Sequence, residues 1–195
     1  MAQELQIRGR DAALQCDRVM DQLLTDAKVS GEIRTAFLVA FEIGEPMFFF
    51  KEKKKVRIME ALLAIELALF SVACGEKLRT LKDLGEIPED EFDVVRKVLE
   101  ERVGARAGQY ASLSGYLAAA VKAERIGADP AKAVLEEARN QVLRAKLGAS
   151  VPMSGLFAIF AEGAQKAAGR YAAHLADELF SKDALSKSKD NALIA

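Results

Sequence analysis

Residues 57–74 read RIMEALLAIELALFSVAC, an apolar run interrupted only by Arg57, Glu60, Glu66 and Ser71. A helix of that composition is apolar on nearly every side, so it belongs inside a bundle. Ala, Leu, Met and Glu favour the helix, and Gly75 is placed to stop it. The run predicts a central helix with the other segments packed around it. A membrane span is the competing reading. The run is at the lower end of spanning length, and Glu60 and Glu66 each cost up to about 2.5–3.5 kcal/mol at mid-membrane. A buried helix is therefore expected, and stable membrane insertion is disfavoured.

What surrounds that helix is predicted to be helical as well. The 195 residues include four prolines and no tryptophan, alanine is abundant, and no segment shows strand-type alternation of Val, Ile and Thr. The expectation is an all-α, single-domain bundle of six or seven helices over 1–180, followed by a flexible, polar tail over 181–195. Twenty-eight basic residues against twenty-nine acidic ones give a net charge of -1, which disfavours generic binding to a phosphate backbone. Cys16 and Cys74 lie on separate predicted helices without metal-type spacing and read as reduced core thiols. The polar N-terminus does not resemble a signal peptide, so a cytoplasmic setting is expected.

Taken in order, the first helix spans 3–28. Leu5, Leu14, Val19, Leu23 and Leu24 form its apolar side, and Arg8, Arg10, Asp11, Asp17 and Arg18 its charged side. Ser30 is a candidate N-cap for a second helix from Glu32 to about Gly44, and Pro46 either ends it or starts the next one at N1. Then come Phe48, Phe49 and Phe50, followed by Lys51, Lys53, Lys54, Lys55 and Arg57. Successive helical residues point about 100° apart, so three phenylalanines cannot share one face. One of them is expected at solvent or against a partner subunit.

After Gly75 a short helix or turn is expected to about Leu84, with Gly85 and Pro88 marking a junction. Pro88 and the acids Glu89, Asp90, Glu91 and Asp93 open the next helix, where the acids complement its positive end. This helix is read as continuing to about Arg125, with Gly104, Gly108 and Ser112 forming a small-residue face for close packing. The alternative is that the glycines break it near 104–108. Asp129-Pro130 starts a helix that runs to Leu147, and Val151-Pro152 starts the last one. That last helix carries a second small-residue stripe: Ala161, Ala164, Ala168 and Ala172.

No Walker loop, dinucleotide fingerprint, nucleophile elbow or Glu-x-x-His motif is present, and no cofactor or metal is expected. His174 is the only histidine and reads as a half-exposed helix residue. Glu42 and Glu66 lie in apolar surroundings and are candidate acid–base groups with raised pKa values. Residues 23–37 have the outline of a degenerate helix-turn-helix in which Arg34 and Thr35 face DNA. The expected function is a non-enzymatic helical interaction protein (an adaptor, chaperone or structural subunit) that forms a homodimer and binds another protein. Phe48–Phe50 or the Ala161, Ala164, Ala168 and Ala172 stripe is its expected interface. The alternatives are a DNA-binding regulator acting through 23–37 and a helical enzyme without recognisable motifs.

Overall fold

The computed structural model describes residues 2–26, 35–40, 52–144 and 155–180. Among them the fold is all-α. The helices are α1 (Ala2–Thr25), α2 (described over 35–40), α3 (Glu52–Asp83), α4 (Glu89–Arg106), α5 (Leu113–Arg125), α6 (Pro130–Arg144) and α7 (Leu156–Phe180). As the composition predicts, α3 lies at the centre and packs against α1, α4, α5, α6 and α7. Its 62, 64–65 and 67–70 stretch is buried all round, including Leu62, Ile65, Leu67 and Phe70. By length and composition α3 could cross a membrane, yet 67% of its most apolar window is buried inside the chain. Buried residues from all seven helices join in one core.

Gly75 does not stop the central helix, as the sequence suggested; α3 continues to Asp83, eight residues further. A helix-interior glycine costs about 1 kcal/mol relative to alanine. Burial of Val72, Cys74, Leu78 and Leu81 on either side outweighs that cost. The stop is at Gly85, with φ +73°. There the Gly85 N–H donates to the Lys82 carbonyl and the Glu86 N–H to the Leu81 carbonyl, both at 2.9 Å. This paired closure needs a left-handed residue, which glycine supplies without a Cβ clash.

The helix expected over 89–125 is broken in two. α4 ends at Arg106, a turn covers 107–112, and α5 starts at Leu113. Gly104 and Gly108 are exposed, so they do not line a packed face; the breaking role weighed above is the correct one. Asp129 behaves as the sequence predicts: its Oδ1 accepts the N–H groups of Ala131 and Lys132 at 2.9 and 3.1 Å. α5 and α6 form a hairpin closed by Gly127 at φ +69°.

Ion pairs fix how the helices run. Asp17 pairs with Arg102 through both carboxylate oxygens, and Asp21 pairs with Arg106 at 2.8 Å. Both pairs are offset by 85 residues, so α1 and α4 are parallel. Arg18 meets Glu178 at 3.0 Å and Asp26 meets Tyr171 at 2.6 Å, so α7 is antiparallel to α1. Arg8 departs from the charged surface expected for it and is only 5% exposed. Leu14, expected inside, is 69% exposed, because the buried register of α1 runs through Arg8, Ala12, Cys16, Val19 and Leu23 instead.

Candidate functional site: a groove floored by α3

α4 and α5 both rest on α3 and leave a groove of about 290 Å³ between them. Ser71, Val72, Gly75 and Leu78 of α3 make its floor. Phe92, Leu99 and Val103 line the α4 wall, and Leu117, Ala120 and Val121 line the α5 wall. The charged rim is balanced: Arg79 pairs with Glu124 at 3.3 Å and Arg96 with Glu100 at 2.9 Å. Gly75 sits in the floor, and a Cβ built there meets nothing within 4 Å. The groove therefore has room directly over the α3 backbone. Val121 on its edge is 48% exposed, and Ile126 at the end of α5 is 72% exposed. An apolar trough with a polar, charge-paired rim is suited to receiving the apolar ridge of a helix.

The sequence reading did not identify this groove. Its signals were Gly75 inside an apolar helix and the residues Leu117, Val121 and Ile126 beyond the core side of α5. Of the residues it did nominate, Phe48, Phe49, Phe50, Arg34 and Glu42 lie outside the described residues, as do the tail over 181–195 and most of the suggested recognition segment. Thr35 is exposed on α2. Ala164, Ala168 and Ala172 are 1%, 2% and 3% exposed, and Ala161 is half-buried against the same core. Ala168 shares a recess with Leu69, Val72 and Ala73 of α3. The stripe thus serves a close helix contact within the chain, and its three buried alanines have no surface left for a partner.

A polar recess of about 420 Å³ lies between the end of α1 and α7, lined by Gln22, Thr25, Asp26, Arg170, Tyr171 and His174. The Tyr171 hydroxyl donates to Asp26 Oδ2 at 2.6 Å. Burial, then that hydrogen bond, pushes the phenol up to about 12, so it stays a proton-bearing tie between the two helices. His174 is half-buried beside it. The two cysteines are buried and unbridged. Burial, then the Asp17 charge, raises the Cys16 thiol to about 12, and burial followed by Cys16 raises Cys74. Thiols held protonated in this way are poor nucleophiles.

Glu66 is the most unusual titratable group. It is 1% exposed at the middle of α3, and neither carboxylate oxygen has a hydrogen-bond partner. Burial alone raises its pKa to about 7. The raised pKa expected from its apolar surroundings is present. The arginine or polar seam that usually accompanies such a group is not found among the described residues. Among those residues no group of three or more His, Cys, Asp or Glu is placed to hold a metal ion. No protein family, curated protein or solved structure matches the chain.

Proposed function

We propose that this chain is a non-enzymatic helical interaction protein, an adaptor, chaperone or structural subunit of the cytoplasm, whose working surface is the α3–α4–α5 groove. The observation that carries this reading is the open space over Gly75 in the floor of an apolar trough. A glycine inside a helix costs about 1 kcal/mol relative to alanine. Among the described residues no neighbour crowds this position, so their packing gives no reason for the small residue. Close approach of a partner helix does. The exposed apolar edge at Val121 and the charge-paired rim fit the same use, the apolar part contributing affinity and the rim orientation. Two buried, unbridged thiols accord with a reducing compartment.

The test is site-specific photo-crosslinking in living cells. A photoreactive amino acid at Val121 is expected to give a discrete cross-linked polypeptide, lost when Gly75→Leu fills the floor. The same probe at Lys166, exposed on α7, serves as the control. Equal labelling at both positions, or none at Val121, would refute the reading.

A further inference from the structure

Resting on that reading, we propose that the groove receives α5 from a second copy of this chain, the two copies exchanging α5 ridges about a two-fold axis. The ridge is formed by Ala118 and Val121 on the outer side of α5, with Ile126 at its end. The groove has room for a few side chains rather than the body of a helix, which is what a ridge-into-groove contact requires. Ala118 is small and exposed, so the two α5 helices can approach closely at the axis.

Charge identifies a second copy as the occupant. The exposed side of α4 carries five acids against two bases; Glu89 is engaged by Lys82, Glu100 by Arg96 and Glu101 by Lys97, which leaves Asp90 and Asp93 as its negative excess among the described residues. The exposed side of α5 carries Lys122 and Arg125 against Glu124, and Glu124 is engaged by Arg79. Within one copy these two helices stand on opposite walls of the groove. A two-fold operation brings the basic side of each α5 beside the acidic side of the partner's α4, twice per dimer. An interface of that kind must be self-complementary, and this pair of helices is. The same contact covers Ile126 and Val121, which are otherwise exposed to water.

Two reversed-charge variants test the arrangement. Glu100→Lys with Glu101→Lys makes both helices basic; Lys122→Glu with Arg125→Glu makes both acidic. All four positions are exposed, so each variant is expected to fold, as circular dichroism checks. Wild type is expected to give twice the 21.2 kDa chain mass by light scattering at tens of micromolar. Each variant alone is expected to dissociate at least about tenfold more readily, and an equimolar mixture to recover a dimer containing one of each. Gly75→Leu is expected to dissociate the dimer while the helical circular dichroism of the folded chain stays that of wild type. A wild-type mass of 21.2 kDa would overturn the inference while leaving the Val121 cross-link to judge the interaction reading. Dimers that persist in both charge variants, or a mixture that stays monomeric, would overturn this docking geometry.

Discussion

Arg8 Nε lies 3.0 Å from Glu91 Oε2, joining the first helix to the first turn of α4 across 83 residues of chain. The same guanidinium donates to the Leu179 carbonyl at 2.5 Å and sits 4.8 Å from the centre of the Phe180 ring. One buried side chain therefore closes the end of α7, pairs with an acid at the start of α4, and holds α1 between them. A cation suits a helix C-terminus and an anion a helix N-terminus, so both contacts follow the helix dipoles. Arg8→Met keeps part of the stem packing but leaves Glu91 and a terminal carbonyl without their donor. The expected cost is about 2–3 kcal/mol, below that of a fully buried pair because Glu91 retains some contact with water. Chemical denaturation measures it. A loss below about 0.5 kcal/mol, the level of an ordinary surface change, would show that the junction is not cooperative.

Glu66 makes stability depend on pH in a direction opposite to most carboxylates. Its folded pKa, about 7, is above the ordinary value of 4.5. Between those values the unfolded chain releases the proton and the folded chain keeps it. Stability from this group is thus fully present below about pH 4.5, falls as pH rises, and is lost above about pH 7. The span corresponds to about 3 kcal/mol. Glu66→Gln removes the titration, so its stability relative to wild type is expected to improve by that amount from pH 4 to pH 8. Urea midpoints of the two proteins at both pH values decide it, and a constant difference would show that water or a charge reaches the carboxyl.

Two glycines are expected to respond to the same substitution with opposite sign. Gly75→Ala lies in the interior of α3 with free space around the new Cβ, and is expected to stabilise by roughly 0.5–1 kcal/mol. Gly85→Ala also meets no atom within 4 Å, yet its backbone is at φ +73°. The left-handed conformation costs an L-residue about 1–2 kcal/mol. Thermal midpoints that move in the same direction for both would contradict the positions these residues occupy.

Ala168→Leu separates packing within the chain from contact between chains. The alanine is 2% exposed, so a larger side chain has to displace core neighbours, at about 1–3 kcal/mol. The midpoint of unfolding is expected to fall while the oligomeric state remains that of wild type. If dissociation changed and stability did not, the alanine stripe would be an interface after all.

Much of the architecture was legible because it depends on local chemistry. The apolar run at 57–74 requires burial on all sides, and Asp129-Pro130 and Gly127 shape their helix ends with their own atoms. What was not legible depends on distant residues. Gly75 looks like a stop until Leu78 and Leu81 are seen to be buried beyond it. Arg8 looks like a surface charge until Glu91 and the end of α7 are placed around it. The alanine stripe shows which side of α7 is small, but a one-dimensional pattern does not say whether α3 or a second chain covers that side. The groove was harder still, since its walls come from three separated segments and its signature is a glycine that packs against nothing.

The seating of α1 also has a consequence in time. Its neighbours are α3, α4 and α7, and the Arg8–Leu179 contact spans 171 residues. At ribosomal speeds of about 5–20 residues per second, that separation is roughly 10–30 s of synthesis. Over that interval the side of α1 bearing Cys16 can meet Cys74 of α3 and Arg102 of α4, while the contacts that Arg8, Arg18 and Asp26 make with α7 wait for the end of the fold. The packing of α1 is thus completed only when α7 arrives, so the nascent chain passes through a stage in which one side of an amphipathic helix is open to chaperones.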